Sequence, residues 1–154
     1  MSSRALARAR ATDNPGPEPG PAGKVAILML VVLGLGALGG GAGLVSAPDG
    51  SIMHIPDSIL DGSPFPDFLI PGLILGGLFG LGSLAVAVLG LRRWPVAPFL
   101  AFAIGCGQMI WIVVQVAIIK GVSFLHPTFF GIGLVIALAS VRWGWPTFRA
   151  RRAR

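Results

Sequence analysis

The chain contains no tyrosine and one cysteine, and only six of its 154 residues are acidic. Each shortage excludes a class of chemistry. Cys106 stands alone inside an apolar run, so there is no internal disulfide, no C-x-x-C redox pair and no cysteine-rich zinc site. Its expected role is that of a small residue packed between helices. Acidic residues are confined to Asp13 and Glu18 near the start and to Asp49, Asp57, Asp61 and Asp67 in one loop. None lies within a long apolar run, where proton-coupled transporters usually carry an Asp or Glu. There is no H-E-x-x-H, and no nucleophile and base stand together. The residues therefore indicate no catalytic, cofactor-binding or metal-binding set, and the reading is that of a protein that is not an enzyme.

What is present is apolar. Hydrophobic residues make up 54% of the chain and charged residues 12%, against roughly 25% charged in ordinary soluble domains. The mean hydropathy of +0.81 reflects long uninterrupted runs. A net charge of +6 and a sequence pI near 11.4 could point to nucleic acid. However, the basic residues cluster at the ends of apolar runs rather than forming a stripe among polar and aromatic neighbours, which argues against nucleic acid as a partner.

Four runs match the thickness of a bilayer, about 30 Å or roughly 20 helical residues. They cover about 25–45, 68–91, 96–119 and 122–141. Pro71 and Pro98 fall near helix starts, where proline is tolerated because the first turn's N–H groups are unpaired anyway. Pro127 leaves two possible starts for the fourth run, at Val122 or at Pro127 itself. The expected fold is all-α, a transmembrane four-helix bundle over 24–145. It is flanked by a disordered Pro/Gly/Arg tail over 1–23 and a basic tail over 146–154. Val45-Ser46-Ala47 resembles a signal-peptidase site, but the preceding apolar stretch is longer than a signal core of about 7–15 residues.

Charge asymmetry sets the expected orientation, since Lys and Arg beside spans stay on the cytoplasmic side. Arg4, Arg8, Arg10 and Lys24 precede the first run, Arg92 and Arg93 join the second to the third, and Arg142, Arg149, Arg151, Arg152 and Arg154 follow the fourth. Only Lys120 lies at the opposite end, together with the acidic loop over 46–67. Trp94, Trp143 and Trp145 stand beside the basic groups, where indoles favour the water–lipid boundary. Both termini are thus expected in the cytoplasm, with the lipid bilayer as solvent. The acidic loop also holds His54, and Pro48, Pro56, Pro64 and Pro66 suggest that it is extended and solvated.

Gly34-Leu35-Gly36-Ala37-Leu38-Gly39 satisfies the dinucleotide pattern G-x-G-x-x-G, but neither a strand–turn–helix context nor a following helix start accompanies it. Helix packing is the better reading, because small residues let helices approach in lipid, where no hydrophobic force joins them. Gly36 and Gly40, then Gly39 and Gly43, are four apart, and Gly72, Gly76 and Gly80 repeat that spacing along the second helix. Such faces serve either the bundle itself or a second copy.

In the third run Gln108 and Gln115 share a face with Trp111 between them. Amides in hydrocarbon require partners, which either lie on a neighbouring helix or belong to a bound solute. In an antiparallel hairpin turning at Lys120 and Gly121, Gln115 falls level with His126, Trp111 with Phe130 and Gln108 with Gly133. This suggests a polar pocket of Gln115, His126, Lys120 and Asp67. His126, beside Pro127, also reads as a hydrated residue at a helix start.

Three stretches, Ser63-Pro64-Phe65-Pro66-Asp67-Phe68-Leu69-Ile70-Pro71-Gly72-Leu73-Ile74-Leu75, Trp111-Ile112-Val113-Val114-Gln115 and Leu125-His126-Pro127, resemble a group of small bacterial four-span membrane proteins to which no activity is attached. The architecture also resembles that of DoxX-type four-helix proteins, without residues that carry over a redox site. These resemblances imply a bacterial plasma membrane and a multi-pass architecture. The expected role is a structural or accessory subunit associating with itself or a membrane complex through glycine faces. The alternative is a small carrier or pore for a neutral or weakly polar solute, lined by Gln108, Trp111 and Gln115.

Overall fold

In hydrocarbon a backbone can satisfy its polar groups only with itself, and each apolar run accordingly forms a helix. The computed structural model describes residues 16, 18–119 and 123–152, apart from the side chains of 57, 119 and 146–152. It contains four long helices: α1, Pro21–Ser46; α2, Leu69–Leu91; α3, Ala97–Ile119; and α4, Leu125–Arg152. Each is long and apolar enough to cross a bilayer. Among the described residues there is no strand.

The boundaries differ from those read in the sequence where local chemistry intervenes. Helix α1 begins at Pro21, so Lys24 lies in its first turn; proline at the first position needs no N–H partner there. Helix α4 begins at Leu125, between the two expected starts, because Pro127 still falls within the first turn. Its backbone continues through Arg152, so most of the basic segment over 146–154 extends the helix. Of the tail over 1–23, residues 1–15 and 17 lie outside the described residues. Gly16 and Glu18 rest on the α2–α3 turn, where the Gly16 amide donates to the Arg93 carbonyl at 2.6 Å. The Arg93 guanidinium donates to the Glu18 carboxylate at 2.8 Å.

The helices form an antiparallel ring in which α1 packs against α2 and α4, and α3 against α2 and α4. One core occupies the end of the bundle that carries the arginines. Leu30 and Leu33 of α1, Val86 and Ala87 of α2, Ala97, Ala101 and Ile104 of α3, and Ile136 of α4 are buried together there. Outward positions such as Leu35, Leu81, Ile110 and Leu138 are each more than 60% exposed. A sheath of large aliphatic side chains on an otherwise packed bundle is the surface that lipid, not water, requires.

Trp143 departs from the expectation of an interfacial indole. It is only 4% exposed, whereas Trp94 and Trp145 remain open. Gly23 and Gly90 create the space it fills: a Cβ on Gly90 would lie 2.8 Å from the Trp143 ring, and one on Gly23 would lie 3.1 Å from it. The indole joins the start of α1, the end of α2 and the end of α4. Both ends of the spanning unit are therefore on the same side of the bundle.

Candidate functional site

The glycines locate two close helix contacts. Between α1 and α2 the closest approach is at Gly41, where a Cβ would lie 2.5 Å from the Gly76 nitrogen and 2.8 Å from the Gly72 carbonyl oxygen. Leu38 presses on Gly80 and Leu44 on Gly72. The groove of Gly72, Gly76 and Gly80 is thus filled within the chain, and Gly41 is the matching position on α1. Gly36 instead meets the Phe129 ring, and Gly40 meets Leu75.

Part of α2 makes this alignment possible. Ile74–Leu81 is π-helical, and the Gly82 amide donates to the Gly77 carbonyl five residues back. In a straight α-helix each four-residue step drifts about 40°, so Gly80 would stand about 80° from Gly72. The wider π turn takes back most of that drift and keeps all three glycines toward α1.

The second contact joins α3 to α4. A Cβ on Gly105 would lie 2.7 Å from the Gly133 carbonyl oxygen and 2.8 Å from the Ala137 nitrogen. Gly133 in turn leaves room for Gln108, whose Cβ is 3.3 Å from where a Gly133 Cβ would stand. The level expected from the hairpin, Gln108 opposite Gly133, is the one observed.

Gln108 stands at the middle of α3 and is 1% exposed, and its Oε1 has no hydrogen-bond partner. Trp111, one turn on, packs against Phe79 of α2 with ring centroids 6.0 Å apart. Its Nε1 is buried and likewise unpartnered. On α2 the Ser83 hydroxyl is a third such group. Ser140 of α4 shows the ordinary solution, donating to the Ile136 carbonyl at 2.6 Å. In lipid an unpaired buried polar atom costs more than in a wet interior, since no bulk water is at hand to relieve it. One acceptor, one donor and one hydroxyl are therefore left free within the helical layer.

The remaining members of the expected pocket are used elsewhere. His126 accepts the Ser123 amide on Nδ1 at 2.9 Å and so caps the start of α4. Asp67 accepts the Leu69 amide at 2.9 Å at the start of α2. Gln115 is half-buried, and Lys120 lies outside the described residues. The structure turns Gln108 and Trp111 inward, but gives His126 and Asp67 to local backbone.

The loop between α1 and α2 is folded rather than extended. Gly50 and Gly62 take positive φ values of 77° and 84°, and His54 takes 53°. A 3₁₀ turn occupies Asp57–Leu60 and touches α3. The Phe68 amide donates to the Pro48 carbonyl at 2.8 Å, closing the loop at its neck, and Phe68 itself is buried. Pro48 lies in a turn, Pro56 leads into the 3₁₀ turn in extended backbone, and Pro64 and Pro66 lie at bends. Asp49 accepts both the Ser51 hydroxyl at 2.7 Å and the Ser51 amide at 3.1 Å. These bonds hold its carboxyl below the usual carboxylate range. Among the described residues no three His, Cys, Asp or Glu side chains gather as metal ligands would.

The G-x-G-x-x-G stretch lies in the middle of α1 with helix on both sides, so it forms no phosphate-binding loop. Sequence reasoning missed three features: Gly41, the internal seat of Trp143 and the free hydroxyl of Ser83. The glycines at Gly23 and Gly90 were the available signal for Trp143. Compared with known protein families, with curated proteins and with solved structures, the chain matches none.

Proposed function

We propose that this chain is a multi-pass protein of a bacterial plasma membrane with both termini in the cytoplasm. Its role in this reading is that of a non-enzymatic accessory or structural subunit. The arginine distribution and the likeness to small bacterial four-span proteins support the placement. Support for a membrane partner comes from Gly39 of α1 and Gly77 of α2. Both are exposed, and a Cβ on either would meet nothing within 4 Å. Since Gly41 meets Gly76, the two lie at nearly one depth, where a helix of a second copy or of another membrane protein can approach the backbone closely.

The placement is tested with reporters fused after Arg93 and after Arg154: both should remain cytoplasmic, and export of either defeats it. For association, cysteines at Gly39 and Gly77 in a Cys106→Ala background should give crosslinked species in native membranes. A protein that stays uncrosslinked, and that tolerates Gly39→Leu and Gly77→Leu in cells, removes this role.

A second reading, a carrier or pore for a neutral hydrogen-bonding solute, is favoured by the free atoms of Gln108 and Trp111. It requires solute flux in liposomes that is lost in Gln108→Leu, with Gln115→Leu as the companion variant. No flux across a panel of polyols and amides counts against it.

A further inference from the structure

An open groove of about 650 Å³ lies between α1 and α4 near the arginine-bearing end. Pro21, Ala22 and Val25 line one wall, and Val135, Leu138 and Arg142 the other. The lining is aliphatic apart from Arg142 and covers about two turns of α4, from Val135 to Arg142. The end of the groove is charged in one sense only. Arg142 is exposed and makes no ion pair among the described residues. Lys24, one turn beyond Pro21, is also exposed. Helix α1 begins in the same wall, with no side-chain cap and no acidic residue in its first turn. The amides of Ala22 and Gly23 precede its first helical hydrogen bond, made by Lys24 to Gly20, and add the positive end of the helix dipole. Glu18, the nearest acid in sequence, is held by Arg93.

We infer that this groove binds one anionic phospholipid, with an acyl chain between α1 and α4 and its phosphate between Arg142 and the first turn of α1. An aliphatic trough calls for a chain, and Arg142 beside an uncapped helix start, with Lys24 further along the first turn of α1 and neither cation in an ion pair among the described residues, calls for a phosphate at its end. A zwitterionic lipid would bring its own cation to a groove end that is already cationic at Arg142. The inference rests on the membrane placement proposed above, but not on any protein partner.

The experiment uses the full chain in mild detergent, titrated with phosphatidylglycerol or phosphatidylcholine and followed by native mass spectrometry. One phosphatidylglycerol per chain should be retained in preference to phosphatidylcholine. At about 1 kcal/mol per basic residue near the headgroup, Arg142→Gln should weaken retention about fivefold, and adding Lys24→Gln should weaken it about fivefold again. Arg142→Lys should keep most of it. Arg92→Gln, at the α2–α3 turn, should change nothing and serves as the charge control. Both cations are exposed, so the folded bundle should survive these changes, as a monodisperse size-exclusion peak would show.

Equal retention of the two lipids, or retention unchanged in the double variant, overturns the inference. Displacement by soluble glycerol phosphate as readily as by lipid overturns it too, because the trough would then contribute nothing. Failure of the placement looks different: the chain would be recovered without detergent in the soluble fraction.

Discussion

Replacing Gly41 by alanine adds one methyl group at the point where α1 and α2 come closest, and its effect can be estimated from the geometry. The new carbon would lie 2.5 Å from the Gly76 nitrogen and 2.6 Å from its Cα, both backbone atoms that cannot rotate away. Contact distance for such pairs is about 3.5–4.0 Å, so the helices must separate by on the order of 1 Å. A gap of that size forfeits roughly a quarter to a half of each dispersion contact. Leu38 and Leu44, which press on Gly80 and Gly72, should lose the most. At about 40 contacts each and about 0.1 kcal/mol per contact, a quarter of their total is about 2 kcal/mol. No hydrophobic force between the helices offsets the loss in lipid, and a gap of about 1 Å is too narrow for hydrocarbon to fill.

The matched control is Gly131→Ala in α4, where nothing lies within 4 Å. Helix propensity cancels in this comparison, because a separated span remains helical in the membrane. Unfolding from bicelles with increasing dodecyl sulfate, read by far-UV and tryptophan signals, should place Gly41→Ala about 2 kcal/mol below the parent and Gly131→Ala within about 0.5 kcal/mol of it. If the two variants unfold together, close backbone packing at Gly41 and Gly76 does not hold α1 to α2, and the account of the π-helical stretch fails with it.

Three further outcomes follow from the same geometry. Gly105→Val should loosen the α3–α4 hairpin by about 2 kcal/mol or more, since its Cβ meets backbone at Gly133 and Ala137; the same bicelle unfolding reads the loss, and a variant as stable as the parent refutes the contact. Gln108→Met removes a buried acceptor without a partner at similar volume, so stability should be unchanged or rise by about 1 kcal/mol; a loss of 2 kcal/mol or more would mean that the amide has a partner in the membrane. The Asp49 carboxyl is lowered chiefly by the Ser51 hydroxyl and then by the Ser51 amide. Its contribution to the loop is therefore complete above the ordinary carboxylate range and is lost as pH falls through the lowered folded value. Carbon-detected NMR titration should place the Asp49 midpoint below the ordinary carboxylate range, and Ser51→Ala should raise it; an ordinary midpoint in the parent protein refutes the assignment.

The number of spans, their lengths and the clustering of arginine at alternate ends were legible in the sequence, because lipid thickness and charge act on segments as wholes. The level of Gln108 against Gly133 was also legible, since a short turn fixes the register of an antiparallel pair. Which way each helix faces was not. α1 is aliphatic on every side and presents glycine in several directions, so Gly36, Gly40 and Gly41 are equivalent in sequence. Only the position of α2, with the π-helical stretch that aligns Gly72, Gly76 and Gly80, selects Gly41. Trp143 was placed at the boundary by its neighbours in sequence and drawn inward by Gly23 and Gly90, which are distant in the chain and adjacent only once the ring of helices has closed. The loop followed the same rule: its prolines were visible, but the Phe68–Pro48 bond that closes its neck joins residues twenty apart and shows only in the folded chain. Hydropathy determined what enters the membrane. Contact between backbones, which hydropathy does not encode, decided how the four helices meet.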